Sequence, residues 1–204
     1  MRQVPGTPRT PTAEAPPPAQ RDIDPRITRS RQVILEATLR ELAAAGYGAF
    51  AVESVAARAG VGKSTIYRHW RDKLALIEDA LATLHDSEAP DISTGSPRER
   101  LERILRHVAH ILSDSLFSAC LPAMIEAAER DERLRRFHHE FQAAARQPLV
   151  DLLTEGRATG DFPAPIDPEL TALALLGALF FHRLMTPSAF PPDKVSQLID
   201  TVLG

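Results

Sequence analysis

Val52-Glu53-Ser54-Val55-Ala56-Ala57-Arg58-Ala59-Gly60-Val61-Gly62-Lys63-Ser64-Thr65-Ile66-Tyr67-Arg68-His69-Trp70-Arg71-Asp72-Lys73 reads as two brief helices joined by a tight turn. A helix-turn-helix needs a small residue where its second helix crosses the first, and Ala56 supplies one. The turn needs a residue that tolerates positive φ, and Gly60, four residues on, has no Cβ to clash. The second helix must return a buried branched side chain, and Ile66 stands ten residues past Ala56. Its other faces carry Lys63, Ser64, Thr65, Tyr67, Arg68 and His69, which can reach base edges and phosphates in a major groove. Small helical hairpins reuse alanine and glycine freely, so a plain structural hairpin stays open as the alternative.

The flanks extend the helical reading. From Ile27 the apolar period is 3.6, with Ile34, Thr38, Leu39 and Leu42 on one face, and Gly46 is expected to stop that helix. Asp72 can cap a fourth helix, whose Leu74, Ile77, Leu81 and Leu84 recur at steps of three and four. Upstream, residues 1–25 hold seven prolines and almost no large apolar side chain. They are expected to be a disordered or polyproline-like arm. Charge follows the same division. Residues 26–73 carry nine Lys/Arg against four acids, a balance of +5, while the 131 residues after them carry 12 basic and 20 acidic side chains, a balance of −8. A basic block on an acidic body suits an end that meets phosphate; a solvated basic face is the bland alternative.

Beyond a small, polar linker at Ser87–Gly95, every segment reads as helix. Ser96-Pro97-Arg98-Glu99 is a capping box with proline at the first helical position. Behind it Leu101, Ile104, Leu105, Val108, Ile111 and Leu112 draw an apolar stripe. A helix is expected around Pro122 to Arg130, and a long one from Glu132 toward Arg157 that Pro148 should kink. Asp167-Pro168 starts a helix apolar nearly all round to Met185, and Pro191-Pro192-Asp193 opens a last amphipathic one. No strand pattern appears, so the fold class is all-α.

Composition narrows the function. The chain has 204 residues, 44% hydrophobic and 25% charged, the mix of a globular protein. Its one cysteine, Cys120, excludes an intrachain disulfide, so a cytoplasmic setting fits. No apolar run approaches the ~20 residues needed to cross a bilayer, and the first residues lack the apolar core of a secretory signal. No Gly-rich phosphate loop, nucleophile elbow or telling carboxylate pair points to an enzyme.

Gly46-Tyr47 followed by the string from Val52 to Lys73, with its Ala-Gly-Val, Lys-x-Thr-Ile-Tyr and Trp-x-x-Lys, resembles the DNA-binding domain of the tetracycline-repressor (TetR) family. The resemblance implies an N-terminal three-helix helix-turn-helix domain, a C-terminal six-helix bundle for ligand and dimerisation, and usually repression. The expected division is therefore 26–73 for DNA and 74–204 for effector binding and dimerisation. The implied partners are a palindromic operator in double-stranded DNA, a small-molecule effector and a second copy, with no cofactor and no membrane. By position, Lys63, Thr65 and Tyr67 match residues that face the groove, and Lys73 matches a lysine on the DNA backbone; Arg29 or Arg31 could do likewise. Two departures stand out: Ala51 and Gly62 occupy positions where the family often has a capping Thr and Ser.

Further candidates carry open alternatives. His107 with His110, or His138 with His139, could hold a metal, but solvated or pocket-polar histidines suit them better, and no metal site is assigned. Phe117, Cys120, Met124, Phe137, Phe141 and His182 are the candidates for an effector pocket; residues of the first five kinds are more often plain core, and a histidine like His182 more often sits in a core or interface. For a dimer interface the candidates are Leu173, Leu176, Phe180 and Leu184 on one helix, with Leu198 and Val202 on the last. A helix apolar all round is either central in a core or shared with a partner. A ligand-responsive DNA-binding regulator accounts for most of these features. A DNA-binding protein without a ligand, and an all-α enzyme or interaction module, remain the other readings.

Overall fold

The computed structural model describes residues 25–86 and 90–204. The expected arm lies outside the described residues except for Pro25, which opens the first helix, and so does the start of the expected linker. Among the described residues there are nine α-helices, two 3-10 turns and no strand: α1 (Pro25–Ala49), α2 (Val52–Ala59), α3 (Lys63–His69), α4 (Lys73–Ala82), a turn at Thr83–Asp86, α5 (Pro97–Ser113), α6 (Leu116–Arg130), α7 (Glu132–Thr159), α8 (Pro168–Met185), a turn at Pro192–Lys194, and α9 (Val195–Leu203). The all-α reading, three helices followed by six, is the observed architecture.

Local chemistry accounts for most boundaries. Gly46 leaves helical geometry at φ 73° and ψ 173°, so α1 breaks there and only one turn follows. Asp72 caps α4 by accepting from Ala75 N at 2.7 Å. At α5 both halves of the capping box form: Ser96 Oγ accepts from Glu99 N, and the Glu99 carboxylate accepts from Ser96 N. Asp131 and Asp167 cap α7 and α8, each accepting from the backbone N–H groups two and three residues on. The expected helix around Pro122 in fact starts six residues earlier, because Ser115 caps it by accepting from Ser118 N at 3.1 Å. Pro122 then sits inside α6 and Pro148 inside α7, and α7 runs on through its proline to Thr159.

The helices bury two cores. The first unites Ile34, Leu35, Leu39 and Leu42 of α1 with Val55 and Ala56 of α2, Ile66 of α3, Leu76 and Ile77 of α4, and Cys120, Met124 and Leu134 from α6 and α7. The second joins α5, α7, α8 and α9 through Leu101, Leu105, Leu149, Leu153, Leu175, Leu179, Val195 and Ile199. At ~25 cal/mol per Å² of apolar surface removed from water, such side chains each contribute about 1.5–3 kcal/mol. One glycine is demanded by packing: a Cβ on Gly156 would collide with the Phe162 ring that folds back onto α7. The α4 helix packs into the first core, so α4 is built together with the helix-turn-helix and carries the chain from it toward the second core.

Candidate DNA-binding face and effector cavity

The turn between α2 and α3 has the required conformation. Gly60 is left-handed at φ 67° and ψ 31°, its N–H directed at the Ala56 and Ala57 carbonyls, and Val61 N donates to Ala56 O at 3.0 Å. Ile66 is the buried residue of α3, seated on Val52, Val55 and Ala56 of α2. Lys63, Ser64, Tyr67, Arg68 and His69 all face solvent, Tyr67 at 51% exposure, and Thr65 is half-buried. Neither Ala51 nor Gly62 caps its helix with a side chain. Glu53, in the first turn of α2, takes an ion pair from Lys63 Nζ at 2.9 Å, and that pairing holds its carboxyl below the usual range.

The basic residues beside this face differ in how free they are. Arg29 is exposed. Arg31 pairs with Asp79 of α4 at 2.6 Å, and the same carboxylate accepts from Trp70 Nε1 at 2.7 Å, tying α1, α4 and the end of α3 together. Lys73, by contrast, is half-buried: its ammonium donates to the Tyr47 and Phe50 carbonyls and lies over both rings, 4.8 and 5.2 Å from their centroids. It closes the chain end left by Gly46 at least as much as it faces outward. Two links then fasten this unit to the body. Glu126 of α6 accepts from Tyr47 N at 3.1 Å, and Arg133 of α7 donates to Glu78 at 2.7 Å and reaches Asp72.

A cavity of about 350 Å³ lies between α5, α6, α7 and α8. Ile104, Val108, Ile111 and Leu112 of α5 form one wall, Phe141, Ala144, Ala145 and Pro148 of α7 another, and Leu176 and Phe180 of α8 a third. Phe117 closes one end, and Leu84, Pro90 and Ile92 another. His107 and Gln142 are its polar side chains. Burial, and then the neighbouring His110, push the His107 pKa down, which favours its neutral imidazole.

Of the six residues expected to line a pocket, the structure brings Phe117 and Phe141 to this cavity, their rings 6.2 Å apart. The others lie elsewhere. Because α6 packs on α1, Cys120 and Met124 are fully buried in the first core; the Cys120 thiol contacts Leu39 O at 3.3 Å and burial raises its pKa to about 11. Phe137 packs against that core too, 6.1 Å from Phe141. His182 points to Thr186 Oγ1 at 3.0 Å and meets Phe190 edge-on. Of the expected interface residues, Leu176 and Phe180 line the cavity, Leu173 is exposed, and Leu184, Leu198 and Val202 are half-buried on the second core. Leu170, Phe181 and Met185 are exposed beside Leu173, forming an apolar stripe that the residue-by-residue reading did not single out; the steps 170, 173, 177, 181 and 185 hold its signal. No group of metal-ligating side chains occurs among the described residues.

Comparison with known proteins agrees at both ends of the chain. Residues 34–80 match the family described as bacterial regulatory proteins, tetR family, and residues 89–202 match the tetracyclin repressor-like C-terminal domain. The chain is 31% identical over 182 residues to the DNA-binding transcriptional repressor TetR of Mycobacteroides abscessus, covering 86% of this chain and 92% of that one. A TetR-family transcriptional regulator from Rhodococcus sp. superposes with a TM-score of 0.72 at 26% identity, over 86% of this chain and all of the other (100%). The regulator FadR of Bacillus subtilis, solved in complex with stearoyl-CoA, has the same fold, with a TM-score of 0.69 at 18% identity over 85% and 97% of the two chains.

Proposed function

The chain belongs to the TetR family of bacterial transcription regulators, and from that premise we propose that it represses by binding a palindromic operator as a homodimer and lets go when a small molecule fills its cavity. The observation that carries this reading is the pairing of an exposed, basic α3 with a largely apolar cavity among the helices of the body. In the free protein, α3 presents Lys63, Ser64, Tyr67, Arg68 and His69 to solvent with Thr65 half-buried beside them, and its buried anchor is Ile66. One such helix reads too few base pairs for useful specificity, whereas a two-fold pair reads two half-sites about one helical turn (~34 Å) apart. The proposed division follows the same logic, with residues 26–73 reading DNA and 74–204 holding effector and partner. Arg29, Arg31 and Lys73 belong to the phosphate-facing set in this proposal, Lys73 through the donor its two carbonyl bonds leave over. No catalytic role is assigned, and the protein is placed in the cytoplasm with its DNA.

The partner surface follows from α8. Thr171, Ala172, Leu175 and Leu179 bury one side of this helix in the second core, while Leu170, Leu173, Phe181 and Met185 stand exposed on the other. By length and composition α8 would suffice for a short membrane span. Glu169 and Arg183 are charged within it, and α9, with Leu198 and Val202 half-buried, packs on the same core, so a second copy suits it better than lipid. Selection of bound duplexes from a random library tests the proposal. It should recover an inverted repeat, and a bound pool with no shared sequence would contradict it.

A further inference from the structure

We infer that the effector is an electrically neutral, largely apolar molecule bearing a hydrogen-bonding group, and that the cavity rejects anions and cations of the same shape. The inference rests on the cavity being the effector site and adds what that site selects. Among the described residues its walls hold no charged side chain: the polar side chains are His107 and Gln142, both on walls otherwise built of Ile, Leu, Val, Phe, Ala and Pro. Five arginines on the surrounding helices are engaged elsewhere. Arg100 pairs with Glu155 at 2.6 Å, Arg106 with Glu102 at 2.6 Å, and Arg146 with Glu169 at 3.2 Å. Arg103 donates to Thr94 O, and Arg183 to Ser118 Oγ and O.

A carboxylate, sulfonate or phosphate entering this space would lose hydration and meet no cation among the described wall residues in return, and an ammonium would meet no carboxylate among them. A neutral ligand escapes that penalty. It can still be oriented, because neutral imidazole and amide each both donate and accept. The backbone adds one feature: Pro148 supplies no N–H to the Ala144 carbonyl four residues back, and both residues are on the wall. That carbonyl favours a ligand with an N–H or O–H to give.

Two fluorescent probes that differ by one sulfonate group test this on the full chain: N-phenyl-1-naphthylamine, neutral with one N–H, and its 8-sulfonate, an anion. The neutral probe should bind saturably and at least about tenfold tighter, consistent with the cost of stripping a charge of water. Ala145→Trp, which fills the cavity from an exposed wall position, should abolish that binding. Gln142→Lys, which puts a cation in the wall, should reverse the preference toward the sulfonate. Equal or tighter sulfonate binding that disappears in Ala145→Trp would overturn the inference while leaving the cavity as a ligand site. Neutral-probe binding that survives Ala145→Trp, or no binding at all, would overturn the cavity reading beneath it. An unreversed preference in Gln142→Lys would also overturn the inference, since wall charge would then not set selection.

Discussion

Arg183 Nη2 donates to the backbone carbonyl of Ser118 at 2.8 Å, the carbonyl to which Pro122, four residues on, can supply no N–H. The guanidinium also reaches Ser118 Oγ at 2.5 Å, so a half-buried arginine of α8 completes a turn of α6 that proline leaves short of a donor. Arg183→Met should cost about 1.5–3 kcal/mol, the usual worth of hydrogen bonds to a charged group. In a Pro122→Ala background, where residue 122 can donate, the same substitution should cost measurably less. Urea unfolding of the four proteins of this cycle decides it, and identical costs in both backgrounds would refute the link.

Arg133→Met addresses the joint between body and DNA-binding unit. Arg133 bridges Glu78 and Asp72 across the α7–α4 contact, and Asp72 is also the cap of α4. With the bridge gone, α4 and the α3 fastened before it should be less well placed. Operator affinity should fall about tenfold, which corresponds to ~1.4 kcal/mol, with helix content unchanged by circular dichroism. Unchanged affinity would assign the bridge to packing alone.

Glu53→Gln tests the pairing of Lys63 in the free protein. Lys63 is held by Glu53 at 2.9 Å on an exposed surface. Removing the carboxylate frees the ammonium for DNA and removes a like charge near phosphate. Affinity at low salt should rise several-fold, and log K against log salt should steepen, by up to ~0.9 if one further phosphate contact forms. Anisotropy titrations between 50 and 200 mM salt read both quantities. Weaker binding would mean that Glu53 matters mainly as a favourable charge at the start of α2, where Ala51 gives no cap.

How much of this was legible beforehand depends on the range of the interaction. Gly60, Asp72 and the Ser96–Glu99 box act within four residues, and each was readable where it stands. Ser115 is equally local, but Pro122, a residue common at helix starts, masks the cap before Leu116. The cavity was not legible, because which face of α6 is interior depends on α1, over eighty residues earlier. Cys120 and Met124 look like pocket residues until α1 covers them. Leu176 and Phe180 share α8 with the exposed stripe, and only the placement of α5 and α7 separates the cavity side from the outer one.

Phe181→Glu should convert dimers to monomers without unfolding them. Phe181 is 66% exposed on α8, so the charge sits in water in the single chain and is buried only if a partner covers it. Sedimentation at micromolar concentration should show the native chain as a dimer and the variant as a folded monomer with little operator binding. A native monomer would remove the proposed α8 interface.

Acid should loosen the body through histidine. His138 is half-buried, its Nδ1 has no hydrogen-bond partner, and burial with His139 beside it pushes its pKa down; His107 is shifted the same way. The unfolded chain therefore binds protons that the folded chain refuses once pH falls below the ordinary value near ~6.5. Stability is then complete above that value, declines as pH drops toward the depressed folded values, and flattens below them. His138→Leu should make the decline of Tm between pH 7.5 and 5.5 shallower. An equal decline in the variant would exclude His138 as a source.

Stoichiometry on the selected inverted repeat tests the central claim most directly. Sedimentation velocity of a labelled duplex carrying that repeat, titrated with the protein, should show two protomers added together per repeat, and one half-site alone should bind far more weakly. A single protomer bound per repeat, with a half-site bound equally well, would contradict the account of a two-fold regulator reading DNA through α3.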